Sequence, residues 1–159
     1  TNFTGDTQHP VEKVSWDDCQ TFISKLNALT GENFRLPTEA QWEYAARGGN
    51  KSRGYLYSGS NSLGDVAWNS GFQTHAVKTK SPNELGIYDM SGNVWEWCQD
   101  WYGRYSSEAV TNPTGPSGSN RVIRGGSYRS LEYCRVASRS YYSPTPSYRY
   151  DYWGLRLAR

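Results

Sequence analysis

The chain has 159 residues, of which 36% are hydrophobic and 15% are aromatic. This length suits one domain with its own core, and the aromatic excess predicts a core packed through tryptophan and tyrosine rather than leucine. The formal net charge of +2, from 17 basic and 15 acidic residues, argues against nucleic acid as a partner, and the absence of a long apolar run argues against membrane insertion.

The first strongly periodic segment predicts an amphipathic helix that begins after Ser15 and ends at Gly31. Ser15 and Asp18 have the spacing of a capping box, and glycine commonly ends a helix. The residues expected to contact the core are Cys19, Phe22, Ile23, Leu26 and Leu29.

A second helix is predicted to begin at Thr38, which has the capping-box spacing to Gln41, and to end at Gly48. Glu43 can pair with Arg47 one turn later, or it can reach a buried arginine elsewhere in the fold. The residues expected to face the core are Trp42, Ala45 and Ala46.

The segment 86–101 combines three tryptophans with acidic groups that are costly to bury unpaired. Alternation over residues 94–97 predicts a strand with its tryptophans on one face and Glu96 on the other. Asp89 and Glu96 flank a turn whose carbonyl oxygens, with the carboxylates, suit calcium. Alternatively, Glu96 meets an arginine and Asp89 caps a turn, and the spacing alone favours this second interpretation.

The three cysteines are Cys19, Cys98 and Cys134, and none has the C-x-x-C spacing of a metal site. We therefore expect buried free thiols. With only His9 and His75 in the chain, a two-histidine metal or catalytic site is not expected, and His75 is interpreted as a turn or strand-edge residue.

Four motifs carry a resemblance to a known family and follow one another in the order found there. They are residues 35–49, residues 83–97, Arg-Gly-Gly-Ser at 124–127 and Gly-Leu-Arg at 154–156. Over nearly its whole length the chain resembles the formylglycine-generating, sulfatase-modifying factor family. The resemblance implies an α+β fold, a variant of the C-type-lectin fold with two helices, short antiparallel strands and much irregular loop.

The resemblance also implies a structural calcium ion held by the side chains of Asp89 and Glu96 and the carbonyl oxygens of Gly92 and Val94. Family members have already passed their first strands at the point where this chain begins. We therefore expect residues 1–159 to form a single lectin-like domain that is the C-terminal part of a longer protein.

The catalytic members oxidise a cysteine of a client sulfatase with a copper ion held by two cysteine thiolates, a soft-metal site. Both thiolates lie between the Arg-Gly-Gly-Ser motif and an Ala-x-Arg motif. In this chain the first position falls near Ser130, and the only cysteine of that region is Cys134. The missing partner predicts that the protein binds no copper and is not an enzyme.

Residues 128–153 differ in composition from the rest of the chain, because they contain seven of the 13 tyrosines together with several serines. Tyrosine and serine in alternation are typical of a paratope, since tyrosine gives large contact area at little entropy cost. A family core that is rich in tyrosine is an equally weighted alternative.

Variable proteins of diversity-generating retroelements are relatives in which this C-terminal part binds ligand and is rewritten at adenines of asparagine codons. Such codons can yield Tyr, Ser, Arg, Asp or Leu but not Glu or Trp, so Glu132 and Trp153 would be template-encoded and the candidate variable region is 128–153. The predicted ligand-binding residues are Arg129, Ser130, Tyr133, Ser138, Ser140, Tyr141, Tyr142, Tyr148, Tyr150, Asp151 and Tyr152. Arg135, Arg139 and Arg156 are expected to be buried, paired framework.

The sequence thus favours a noncatalytic display domain for an unknown protein or cell-surface ligand, located at a cell surface or on a phage particle. Two alternatives stay open. One is a formylglycine-generating oxidase acting on a sulfatase cysteine, and the other is a structural module of a surface or motility assembly.

Overall fold

A computed structural model describes residues 8–115, 117–140 and 145–159. Short elements are separated by long irregular segments, as expected for this α+β fold. The elements are α1 (Trp16–Thr30), α2 (Glu39–Ala46), a 3-10 turn (Gly49–Lys51), α3 (Leu63–Val66), β1 (Ala67–Trp68), β2 (Ser91–Gly92), β3 (Trp95–Trp101), β4 (Arg121–Arg124) and β5 (Trp153–Gly154). The turn of helix at α3 was not expected from the sequence.

The strands form a two-stranded sheet, β1-β2, and a three-stranded sheet in the order β4-β3-β5. β3 pairs antiparallel with β4, with Glu96 opposite Arg124 and Trp97 opposite Ile123. The expectation of antiparallel strands is wrong for the other two pairings, since β1-β2 and β3-β5 are parallel. β5 returns beside β3 after the long segment that follows β4, and this connection allows the parallel direction.

α1 begins and ends where the sequence predicts, with a capping box between Ser15 and Asp18 and with Gly31 in the left-handed region at φ 70°. Its core-facing stripe is narrower than expected. Cys19 and Ile23 are buried, whereas Phe22 and Leu29 are 49% and 85% exposed, because the sheet covers only the Cys19–Ile23 stripe.

β3 divides the core into two clusters. Trp95 and Trp97 pack on the α1 side together with Trp153, and Cys98 packs on the α2 side against Trp42. The predicted alternation of β3 is confirmed, and so are the capping box of Thr38 and the burial of α2 residues Trp42 and Ala46. Ala45 is partly buried against the same cluster.

Candidate ligand-binding site

After β4 the chain turns sharply at Gly125 and Gly126, whose φ angles are +95° and +75°. A Cβ at Gly126 would lie 2.8 Å from Sγ of Cys134, so only glycine lets the following turn approach this closely. The Cys134 thiol in turn donates to the carbonyl oxygen of Ser130 at 2.9 Å. The glycine pair therefore fixes where Ser130 and Tyr133 stand.

The segment 145–152 is held against the start of α1. The backbone amide of Lys13 donates to the carbonyl of Tyr150 at 3.2 Å, and that of Asp17 donates to Pro146 at 3.3 Å. Arg149 grips Asp18 with two hydrogen bonds of 2.5 and 2.7 Å, which hold the pKa of the Asp18 carboxyl well below its usual value.

These two segments enclose a cavity of about 600 Å³ beside β3. Arg149 points to α1 and Asp151 to Arg129, while the tyrosines that alternate with them face the cavity. The lining residues are Trp95, Asn120, Ile123, Ser127, Arg129, Ser130, Tyr133, Ser140, Thr145, Tyr148, Tyr150, Tyr152 and Trp153.

Several of the predicted ligand-binding residues meet in this pocket. They are Arg129, Ser130, Tyr133, Ser140, Tyr148, Tyr150 and Tyr152. Ser138 is not in the lining, and its carbonyl instead accepts a hydrogen bond from Arg124. Asp151 is not in the lining either, and it forms a 3.2 Å ion pair with the lining residue Arg129. Tyr141 and Tyr142 lie outside the described residues.

The tyrosines of this region divide into core and surface. Tyr128 is 2% exposed, whereas Tyr133, Tyr148 and Tyr150 are 40%, 54% and 45% exposed. Tyr150 and Tyr152 stack at 5.3 Å, and Tyr150 meets Trp153 edge-on at 4.5 Å. The tyrosine-rich stretch therefore contributes Tyr128 to the core and other rings to the exposed rim of the pocket, and the binding face stays a prediction.

Sequence reasoning missed part of the lining. The apolar floor consists of Trp95, Ile123 and Trp153, which are 6%, 2% and 5% exposed. Strand alternation assigned Trp95 to a core face, and codon reasoning set Trp153 apart from its variable neighbours. The codon argument predicts that Trp153 does not vary, and the structure places this residue with Trp95 in a buried floor beneath the tyrosines. No pattern in the sequence indicated Asn120 or Thr145.

Behind the pocket, arginines hold irregular backbone in place. Arg124 is fully buried, pairs with Glu43 and donates to the carbonyl of Val136 at 2.9 Å. Arg139 grips Glu39 at 2.6 and 2.9 Å. Glu43 meets both of its predicted partners, because it also pairs with Arg47 at 2.7 Å.

The expectation of buried, paired framework arginines is wrong for Arg135, which is exposed. It lies in a surface turn between Cys134 and Val136, both of which point into the core. Arg139 and Arg156 are half-buried and paired, the latter with Glu96.

Glu96, proposed as a calcium ligand, is fully engaged by protein groups. Its two oxygens accept from Arg156 at 2.7 to 3.1 Å and from the Trp42 indole at 2.7 Å. Glu96 thus has the geometry of the alternative in which it meets an arginine, and a cation would have to share the carboxylate with Arg156. Asp89 accepts from the Lys78 amide at 2.8 Å. The calcium site, including the carbonyls of Gly92 and Val94, stays a prediction.

The cysteines are free and buried, as predicted. Burial raises the pKa of the Cys19 and Cys134 thiols to about 12, which keeps them protonated at neutral pH. Within residues 8–115, 117–140 and 145–159, no three His, Cys, Asp or Glu side chains are grouped to hold a metal ion. His75 stacks on Trp68 at 3.9 Å, and desolvation lowers the pKa of its imidazole.

A second cavity, of about 950 Å³, lies between α2 and the segment 103–115. It exposes Tyr44 and Tyr105 and has Glu39 and Asp100 at its base. Burial raises the pKa of the Asp100 carboxyl.

Comparison with known proteins gives one family and several structures. The sulfatase-modifying factor enzyme 1-like domain matches residues 1–159. The formylglycine-generating enzyme of Streptomyces coelicolor is 37% identical over 99% of this chain and 54% of its own length. The chain therefore spans about half the length of this curated relative.

Treponema denticola variable protein 1 superposes with a TM-score of 0.87 at 33% identity, covering 98% of this chain and 73% of that chain. The P3c variant of the major tropism determinant superposes with a TM-score of 0.59 at 16% identity, covering 99% of this chain and 40% of that chain, which shows shared fold alone. The chain has the C-type-lectin-like fold of these variable proteins. In the part of the chain described here, no helix is long and apolar enough to span a membrane.

Proposed function

This chain belongs to the sulfatase-modifying factor enzyme 1-like domain family, and we propose that it is a noncatalytic ligand-binding domain of that family, the variable protein of a diversity-generating retroelement. The observation that carries the proposal is the pocket itself. Two sequence segments rich in tyrosine and serine line one cavity, while buried tryptophans form its floor. Exposed aromatic rings on a fixed framework are typical of recognition surfaces.

The likeness to Treponema denticola variable protein 1 supports the same proposal, because it combines 33% identity with near-complete coverage of this chain. The arrangement of fixed and changeable positions supports it as well. Changing Tyr148 or Tyr150 would disturb little of the core, since both side chains project into solvent. We propose an unidentified protein or cell-surface ligand and a location at a cell surface or on a phage particle.

The test is genomic and needs no knowledge of the ligand. We expect a near-copy of the DNA that encodes residues 126–159 to lie beside a reverse-transcriptase gene and to differ from it chiefly at adenines. Codons for Trp153 and for the core residue Tyr128 are expected to be identical in the two copies. Differences scattered without regard to adenine, or the absence of any copy, would contradict the retroelement assignment.

The second candidate is a formylglycine-generating oxidase, favoured by the 37% identity to such an enzyme. Against it stands Cys134, a buried thiol that donates to the backbone carbonyl of Ser130, the residue near which the other thiolate position falls. We expect no aldehyde by mass spectrometry after incubating a sulfatase-motif peptide with the protein, copper and oxygen. Aldehyde above a copper-only control would overturn the noncatalytic assignment.

The third candidate, a structural module of a surface or motility assembly, predicts a different pattern of natural variation. In such a module the pocket tyrosines would be fixed among closely related sequences, because a constant partner would select them. The genomic comparison above distinguishes this candidate from the display domain, since only the display domain requires variation at Tyr148 and Tyr150.

A further inference from the structure

The pocket described above has a chemistry that restricts its ligand. We infer that this pocket binds one neutral apolar or aromatic side chain from a loop of a protein ligand. The inference rests on the proposed display function. Glycans and cationic groups are the competing classes of ligand. The apolar floor and the paired serines argue against a glycan, and the charge of the lining argues against a cation.

The floor is made of apolar side chains, in which the indole N–H groups of Trp95 and Trp153 are the polar atoms. Trp95, Ile123 and Trp153 are buried beneath the cavity, and Trp153 is fixed edge-on against Trp97 at 5.2 Å. Tyr133 leans over Trp95 with ring centroids 5.9 Å apart. A floor of this kind favours groups that gain from leaving water and form ring-to-ring contacts.

The charge of the lining argues against a cationic ligand. Arg129 is the one ionisable lining residue other than tyrosine within the described ranges, and it is positive. Its guanidinium already lies over the rings of Tyr128 and Tyr152, at 5.2 and 5.5 Å. An incoming cation would meet the like charge of Arg129, which already lies over the lining ring of Tyr152. An anion would have to compete with Asp151 for Arg129.

Part of the polar lining is already paired, whereas the buried hydroxyl of Thr145 has no partner among the described residues. The hydroxyls of Ser127 and Ser130 lie 3.0 Å apart and pair with each other. A sugar ring seated on the floor would bury several hydroxyls with few partners, at a cost for each. By contrast, the exposed rims of Tyr133, Tyr148 and Tyr150 place hydroxyl groups where the backbone of a protein loop would pass.

The size of the cavity fits this occupant. A volume of about 600 Å³ accommodates one large side chain with its adjoining backbone, and it falls within the usual range for small-ligand sites. An inserted anchor in a desolvated pocket is also the usual centre of a protein interface.

Fluorine NMR of protein carrying 5-fluorotryptophan tests the inference, because the chain has seven tryptophans and the signals of Trp95 and Trp153 can be assigned with Trp→Phe variants. The probes are N-acetyl-phenylalaninamide, methyl α-D-mannoside and tetramethylammonium chloride. We expect a saturable shift of the two floor signals with the phenylalanine probe alone, with a dissociation constant on the order of millimolar.

Variants sharpen the test. Tyr150→Ser is expected to weaken binding of the phenylalanine probe about tenfold, whereas Tyr44→Ser, the same change at an exposed tyrosine on α2, is expected to leave it unchanged. Melting curves establish that both variants are folded. A saturable floor shift with the sugar or the cation, or no floor shift with any probe, overturns this inference. The genomic test of the display function is independent of either result.

Discussion

The two faces of β3 contact very different surroundings. On the α2 face, buried carboxylates pair with half-buried arginines, such as Glu96 with Arg156 and Glu39 with Arg139. On the α1 face, tryptophans build an apolar floor that opens into a pocket walled by exposed tyrosines. On the α2 face, called the closed face below, charge pairs close the core beneath the second cavity, whereas on the α1 face the core itself forms the floor of the first cavity.

The difference shows how a changeable surface can stand on a fold with few regular elements. Arg124 and Arg139 donate to the backbone carbonyls of Val136 and Gly103 at 2.9 and 2.8 Å, so they fix irregular chain without a long strand or helix. Ser140, next to Arg139, lines the pocket on the other side. Backbone held from one face leaves the side chains of the other face free to vary.

Breaking the closed face should have the largest effect. Arg124→Met removes a fully buried charge that pairs with Glu39 and Glu43 and donates to two backbone carbonyls. We expect the substitution to lower the free energy of unfolding by about 3–5 kcal/mol in urea titrations. Arg47→Met is the matched control. The Arg47 side chain is 43% exposed and pairs with the same glutamate. Its replacement should lower the free energy of unfolding by less than about 1 kcal/mol. Equal losses for the two variants would contradict the closed-face account.

Alkaline pH should lower the free energy of unfolding through the buried thiols of Cys19 and Cys134. The pKa of Cys19 and Cys134 rises from 9.0 to about 12 on burial, so the folded state keeps protons that the unfolded state releases. The stability is therefore complete below pH 9 and declines as pH rises towards 12. We expect each thiol to contribute a loss of about 1 kcal/mol between pH 9 and 10. Urea titrations of Cys19→Ala, which should show a shallower decline, provide the check.

Loss of a single wall tyrosine should barely affect stability. Tyr148→Ser truncates a 54% exposed side chain, and we expect the free energy of unfolding to change by less than about 0.5 kcal/mol. Tyr128→Ser, the same replacement at a buried ring, should cost about 3–5 kcal/mol. Similar costs at the two positions would show that Tyr148 belongs to the core and that the pocket wall is misassigned.

Calcium removal should give the smallest effect. The charge of Glu96 is already balanced by Arg156, so an ion at this loop would depend on Asp89 and on the carbonyls of Gly92 and Val94. We expect excess chelator to lower the melting temperature slightly and Asp89→Ala to abolish that difference. Identical melting curves with calcium and with chelator would remove the calcium prediction.

The sequence by itself determined those features that depend on residues close together in the chain. The capping boxes at Ser15 and Thr38 and the alternation of β3 each need only a few neighbouring residues. The tyrosines and serines of residues 128–153 were also visible, because composition is read directly from the sequence.

Only the tertiary structure decided which partner each side chain meets. Glu96 lies 60 positions from Arg156, and Asp18 lies 131 positions from Arg149, and no periodicity encodes such pairings. The same limit explains why Tyr128 is core while Tyr148 is wall, and why the sequence did not assign Trp95 to a pocket floor. A side chain's burial is a property of what packs over it, and here the covering groups come from distant parts of the chain.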